Sequence, residues 1–311
     1  MNKEVLKKNP VIFKIGHRIN LAQNVMRNRS YVKALRKKYG NSADPEIQNV
    51  LNHITFSNLT FFNYTFTGKY KLEDYLEKIH RDSEGYFYYI SEDGDRVFFP
   101  LSFTKEQAAS YIMNIELEQD RESPHCYTTV DIPNPDIVID AGCSECLFSS
   151  RFIHTARKIV LIEGASEWKA PIQKTFAGAD NIILYNKFLG DKEDDTYITI
   201  DSIMDSLAFE GDERVLIKMD IEGWEPLALM GGQNTLRNSR KLCVLACSYH
   251  YEGEENDISN IMNGMGLTVN HTKGYMFFPP EYEKTVFSHN SSAVLSKRVS
   301  LRRAIIYGRR G

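Results

Sequence analysis

The chain predicts an α/β protein: a mainly parallel sheet with helices on both faces, preceded by a smaller mixed N-terminal domain. Three observations carry this. From Asp136 onward, short aliphatic runs alternate with helical stretches, the pattern of a parallel sheet covered on both sides. Two of those runs lie in VIDAGCSECLFS, from Val138, and LIKMDIEGWEPLALMGG, from Leu216; each ends in a carboxylate, a glycine turn and a helix-like segment. Ahead of residue 130 the alternation gives way to aromatic clusters, a hairpin signal and separate helices.

Residues 2–40 carry apolar residues at loose helical spacing (Val5, Ile12, Ile15, Ile19, Val25, Leu35), and Gly40-Asn41-Ser42 reads as the stop. Pro45 to His53 reads as a short helix capped by Asp44. Phe56, Phe61, Phe62, Tyr64 and Phe66 crowd one segment, read as a small core ahead of a stacking platform for bases. Lys71 to His80 reads as a helix. In GYFYYISEDGDRVFFP, Asp93-Gly94 separates two aromatic runs and predicts a hairpin. Thr104 caps a helix to about Glu122, which Ser123-Pro124-His125-Cys126-Tyr127 breaks. The boundary falls near residue 130: 1–130 forms the mixed domain, with a basic arm over 1–40, and 131–311 the sheet domain.

Hydrophobic residues at 42% and charged residues at 25% are ordinary for a soluble globular chain. MNKEVLKKNP has no apolar h-region, and no stretch approaches the roughly 18 apolar residues of a membrane span; a cytoplasmic protein is expected. Charge is uneven. Residues 1–40 hold eleven Lys or Arg against Glu4, while the rest holds 27 basic and 40 acidic groups. Such an arm suits a membrane surface, a polyanion or a partner, with a solvated basic helix as the plainer alternative. Five cysteines, an odd number without a signal, argue against a disulfide framework. Cys143 and Cys146 with Cys243 and Cys247 could form a four-thiolate zinc site, and the first pair a redox dithiol. Buried or site-lining thiols are preferred, because that first turn has another use.

The sheet strands are read as Ile137–Asp140, Ile159–Glu163, Ile182–Tyr185, Val215–Asp220 and Leu242–Cys247. ITIDSIMDSL reads as a short strand and then a helix capped by Asp201. Gly266 to Val269, Gly274 to Phe278 and Arg303 to Tyr307 are expected to supply the closing strands. A dinucleotide turn needs G-x-G-x-x-G, because pyrophosphate approaches bare backbone. Here only Gly142 is glycine, and Asp140 sets a carboxylate where phosphate would lie. That favours a cation such as the ammonium or sulfonium of S-adenosylmethionine (SAM). Glu163, 23 residues beyond Asp140, can accept hydrogen bonds from both ribose hydroxyls. The plainer alternative is a capping aspartate and a surface glutamate.

These motifs resemble the FkbM family of SAM-dependent O-methyltransferases. The resemblance rests on VIDAGCSECLFS, LIEG, ITIDSI, IKMDIEGWEPLALMGG, and CSYH followed by LRRAIIYGRR, and spans roughly residues 123–311. IK-x-D-x-EG-x-E is its most specific part. It implies a class I methyltransferase (Rossmann-like) fold with a seven-stranded sheet, the last strand antiparallel, and methylation of sugar hydroxyls in glycan or polysaccharide synthesis. EQDRESPHCY resembles the lead-in of a glycan-associated branch. The implied cofactor site takes in Asp140, Gly142, Cys143, Ser144 and Glu163, with Tyr127 from the lead-in and Leu189 and Asp191, beside Phe188, near the adenine. Cys146 stands where the family has a second glycine, and its side chain is expected to narrow the methionine pocket or weaken cofactor affinity.

In such a transfer the cofactor supplies the activated methyl, and the protein aligns the acceptor oxygen and removes its proton. Lys218, Asp220 and Glu222 alternate and are expected to share a face, with Asp220 nearest the sulfonium and the hydroxyl. Glu225 suits the helix N-terminus. Lys218 either holds these carboxylates ionised or forms a plain ion pair. His250, closing CSYH, is the first choice of base, and His125 the second. Asp220, Glu222 and His250 could instead hold a divalent metal that lowers the hydroxyl pKa. The expected partner is a sugar or glycan, lipid-linked or nucleotide-linked. Two other readings stay open. The basic arm could recruit RNA, although nucleic acid is not the expected partner because no Asn-Pro-Pro-Tyr-like amine-methylation motif is present. Alternatively, Cys146 has spoiled the cofactor site and the chain is a binding scaffold.

Overall fold

The computed structural model describes residues 25–57, 59–132, 134–282 and 298–311; Val5, Ile12, Ile15 and Ile19 of the arm lie outside them. The rest of the arm is helix α1 (Val25–Tyr39), with Arg36, Lys37 and Lys38 in its last turn, where cations suit the helix dipole. Helix α2 (Pro45–His53) starts where Asp44 accepts the Glu46 amide at 2.8 Å. Phe61, Phe62 and Phe66 are buried, whereas Phe56 is exposed beneath the Arg29 guanidinium.

The segment read as one helix over 71–80 divides into α3 (Leu72–Leu76) and β1 (Ile79–Arg81). The predicted hairpin is β2 (Phe87–Ile90) and β3 (Arg96–Phe98), turning at Gly94 with φ +88°. Its open edge takes Ile79–Arg81 as a third strand, so ladder hydrogen bonds replace the helix's last turn. Helix α4 (Lys105–Glu118) opens with a Thr104–Gln107 capping box and stops short of the expected Glu122.

Beyond residue 130 come β4 (Ile137–Ala141), α5 (Leu147–Ser150), β5 (Lys158–Ile162), α6 (Lys169–Thr175) and β6 (Ile182–Tyr185). Then follow β7 (Phe188–Leu189), β8 (Tyr197–Ile198), α7 (Ile200–Ser206), β9 (Arg214–Met219), α8 (Glu225–Met230), α9 (Gln233–Asn238) and β10 (Lys241–Cys247). The chain closes with α10 (Glu254–Gly264), β11 (Thr268–His271), β12 (Met276–Phe278), β13 (Ser300–Arg302) and β14 (Ile305–Arg310). Two expectations are corrected. Thr199, not Asp201, caps α7, while Asp201 accepts the Asn234 and Thr235 amides at the start of α9. The Gly274–Phe278 run stays out of the main sheet, because β12 pairs with β13.

The main sheet has seven strands in the order β6-β5-β4-β9-β10-β14-β11, with β14 antiparallel to both its neighbours. Strand alternation sorts side chains to two covered faces. Ile137, Ile139, Val215 and Ile217 join one apolar cluster; Val138, Leu216 and Leu245 join the other. Each fully buried aliphatic side chain contributes about 1.5–3 kcal/mol. The second cluster also takes in Phe61, Phe99, Phe103 and Tyr111, so apolar packing runs unbroken across residue 130. From β4 the chain builds outward to β5 and β6 on one side, then to β9 and β10 on the other. That reversal leaves a crevice at the carboxyl ends of β4 and β9.

Candidate active site

A cavity of about 1530 Å³ occupies this crevice, walled by both motif turns and, opposite, by α4 and the segment after it. The two turns meet at bare backbone. Gly142 has φ +68°, and a Cβ there would stand 2.1 Å from the Asp220 carbonyl oxygen. The Asp220 amide donates to the Ala141 carbonyl at 3.1 Å. Ser144 and Cys146 are also left-handed, at φ 44° and 65°, which costs an L-residue about 1–2 kcal/mol. Cys146 is fully buried in the core and does not line the cavity. The expectation that its side chain narrows the methionine pocket is thus corrected: the left-handed turn aims the thiol inward.

Glu163, at the end of β5, lines the cavity and accepts the Ser144 amide at 3.1 Å and the Ala165 amide at 2.8 Å. Burial raises its pKa despite these bonds. Beside it stands Glu145, which the sequence reading passed over. Its carboxylate accepts the Tyr111 hydroxyl at 3.0 Å, and burial pushes its pKa up to about 7. Cys143, Ser144, Tyr127 and Leu189 also line the cavity; Asp191 is exposed and does not.

Asp140 differs most from expectation. Far from an open carboxylate facing a ligand, it is fully buried and does not line the cavity. Strand register places it beside Lys218 on the same sheet face, with Lys218 Nζ 3.0 Å away and the Ser149 hydroxyl donating at 2.6 Å. Lys218 also donates to the Gly142 carbonyl at 3.1 Å. Burial opposes its charge, but Asp140 and then Asp220 outweigh that and raise its pKa. The pair neutralises itself and braces the first turn.

Strand β9 ends at Met219, so Asp220 and Glu222 lie beyond it, and Glu222 at φ +60° breaks the expected alternation. Asp220 lines the cavity and accepts the Tyr249 hydroxyl at 3.3 Å. His125 Nε2 lies 4.0 Å from its Oδ2, and His250 Nε2 3.3 Å from its Oδ1. The two histidines are not equivalent. His125 lines the cavity, whereas His250 does not and is wholly buried. On its far side, His250 Nδ1 faces Glu254 at 3.3 Å and Glu225 at 3.6 Å. Burial disfavours the imidazolium, but Glu225 and Glu254 outweigh it and raise the pKa well above the usual value. Burial likewise pushes Glu225 well up. The ring is set back from the cavity, behind Asp220. Glu225 also accepts the Ile221 amide at 2.8 Å, pinning the turn.

All five cysteines are free and buried. Burial raises the pKa of Cys143, Cys146 and Cys247, the opposite of what a redox thiolate needs. Among the described residues, two groups gather potential metal ligands within 4.8 Å of one another: His125–Asp220–Cys247 and Asp220–Glu225–His250. Neither contains the four cysteines of the zinc reading, and Glu222 belongs to neither.

No protein-family model and no curated protein matches the chain. Solved structures do. Methyltransferase FkbM from Methylobacillus flagellatus is 15% identical, with 76% of this chain and 57% of that one covered at a TM-score of 0.40. This chain therefore spans little more than half of that neighbour. Magnesium protoporphyrin IX methyltransferase from Synechocystis, solved with SAM bound, is 15% identical over 58% of this chain and 71% of that one, TM-score 0.33. The 23S rRNA methyltransferase ErmE is 14% identical over 62% and 68%, TM-score 0.33.

Proposed function

We propose that the chain is a SAM-dependent O-methyltransferase acting on a hydroxyl of an uncharged sugar or glycan. One observation carries the reading. The crevice between the two motifs presents carboxylates to its ligand: ten Asp or Glu line the cavity against four Lys or Arg, and Lys218 among the four is spent on Asp140. A wall of that sign repels pyrophosphate and suits a cationic, hydroxyl-bearing ligand.

The residues fit SAM. Gly142, Ser144 and Glu163 line the cavity together, and Glu163 lies 2.8–3.1 Å from two amides with its carboxylate on the cavity wall. Gly142, Ser144 and Glu163 would hold the nucleoside, with Leu189 toward the base. When bound, SAM supplies an activated methyl group. Asp220 and His125, facing each other across the corner of the cavity, orient the acceptor hydroxyl and draw off its proton. Tyr249 and the buried His250 keep Asp220 aimed there. The acidic wall favours a neutral acceptor over a nucleotide-linked one, and it also disfavours RNA.

Calorimetry with SAM, followed by transfer of labelled methyl to a panel of neutral, amino and phosphorylated glycans, tests the reading. Binding with transfer to neutral glycans is expected. No SAM binding, or transfer confined to phosphorylated acceptors, overturns it.

A further inference from the structure

At the inner corner of the cavity, atoms bearing lone pairs converge from three separate elements. His125 comes from the segment after α4, Asp220 from the turn after β9, and Cys247 from the last position of β10. His125 Nε2 lies 3.4 Å from Cys247 Sγ and 4.0 Å from Asp220 Oδ2, and all three potential ligand atoms fall within 4.8 Å of one another. From the geometry we infer that this corner is a mononuclear site for a soft divalent cation of the zinc type. Imidazole, thiolate and carboxylate would make three protein ligands, with the fourth position turned to the cavity.

Distances and chemistry agree on this assignment. Metal–nitrogen and metal–oxygen bonds of about 2.0–2.1 Å and a metal–sulfur bond of about 2.3 Å in a tetrahedron set neighbouring ligand atoms roughly 3.3–3.6 Å apart. The nitrogen–sulfur separation, 3.4 Å, already meets that, and the carboxylate, 4.0 Å from the imidazole nitrogen and within 4.8 Å of the sulfur, has to close by roughly 0.5–1.3 Å. A nitrogen–sulfur–oxygen set selects zinc-like ions over magnesium or calcium, which take oxygen ligands. His125 is 2% exposed and Cys247 fully buried, while Asp220 reaches the cavity, so the fourth position is the one open to a ligand. On its other edge, His125 Nδ1 lies 3.4 Å from the Gln119 amide nitrogen and 4.0 Å from Glu118, groups placed to orient the ring as outer-shell partners do. Tyr127 holds its hydroxyl 3.3 Å from Cys247 Sγ. The second triad is a poorer candidate: both His250 nitrogens face carboxylates, at 3.3–3.6 Å, and the ring is enclosed on all sides. Resting on the methyl-transfer reading, the inference adds that an acceptor hydroxyl in the open position would be acidified by the ion, with its proton passing to the Asp220 oxygen left off the ion and His125 then serving as a ligand in place of a base.

The test uses the tag-free full chain, stripped with a chelator and titrated with Zn²⁺ and with Co²⁺ alone. One ion per chain is expected, with a thiolate-to-cobalt charge-transfer band. Cys247→Ser should abolish the band, and His125→Ala and Asp220→Asn should each weaken binding. Losing an outer-shell partner costs metal sites about 10–100-fold, so losing a ligand should cost at least about 100-fold. Cys243→Ser, elsewhere on β10, serves as the control and should change nothing, with circular dichroism confirming that every variant is folded. Absence of stoichiometric binding overturns the inference, as does binding that survives Cys247→Ser or is lost with His250→Asn alone. SAM calorimetry on the stripped protein reads the methyl-transfer proposal separately, so either can fail without the other.

Discussion

Replacing Gly142 by alanine perturbs the point where the two motif turns pack backbone against backbone. The added methyl would stand 2.1 Å from the Asp220 carbonyl oxygen and 3.1 Å from its carbon, at φ +68°. Neither obstacle is a side chain that can swing away. The left-handed backbone costs a non-glycine residue about 1–2 kcal/mol, and overpacking against backbone adds about 1–3 kcal/mol. A total of about 2–5 kcal/mol, at roughly 2 °C per kcal/mol for a large domain, lowers the melting temperature by about 4–10 °C. Gly178 supplies the control: its φ is +91°, but a Cβ there meets nothing within 4 Å. Gly178→Ala should therefore cost only the backbone part, about 1–2 kcal/mol. Thermal unfolding of both variants, with SAM calorimetry at a temperature where both remain folded, separates clash from strain. Gly142→Ala should lose SAM affinity as well, since the turns can part only by moving Asp220. Equal melting shifts in the two variants would refute the reasoning.

Two further perturbations follow from the buried charges. Lys218→Met leaves Asp140 buried without its cation and should cost about 3–5 kcal/mol. Adding Asp140→Asn should recover part of that, and denaturant unfolding of the singles and the double measures the coupling; independent, additive effects would contradict the pairing. Glu145 responds to pH. Its folded pKa of about 7 lies above the usual 4.5, so the folded state binds the extra proton. The stability from this group is complete below the unfolded pKa and is lost as pH rises toward 7, by about 3 kcal/mol at most. Relative to the wild type, Glu145→Gln should therefore gain stability between about pH 5 and pH 8 by up to about 3 kcal/mol, read by urea unfolding at each pH. A pH-independent difference would mean that the carboxyl is not held in its buried state.

The sheet was legible because burial on two faces leaves a continuous aliphatic run that one strand can report. Ile137, Ile139, Val215 and Ile217 had to be apolar wherever their partners lay. The hairpin at Asp93-Gly94 and the caps at Asp44 and Thr104 were legible for the same reason, since each is decided within a few residues. The 71–80 segment misled, because a strand recruited by a neighbouring edge leaves no local mark.

The carboxylates show where local information ends. Their presence at strand ends was plain, but which of them faces the cavity depends on strand register and on distant partners. Register set Asp140 beside Lys218 and turned it into a brace. Glu145, within the first motif, stands on the wall with a partner, Tyr111, that arrives from α4, and Glu254 lies four residues on from His250 without declaring that the ring is caged. Residue order alone therefore determined the fold class and the acidic character of the crevice, both properties of near neighbours in the chain. Folding decided which carboxylate faces the cavity, which histidine lines it, and that His125, Asp220 and Cys247 share a corner, because Coulomb energy and burial depend on distance in space and not on distance along the chain.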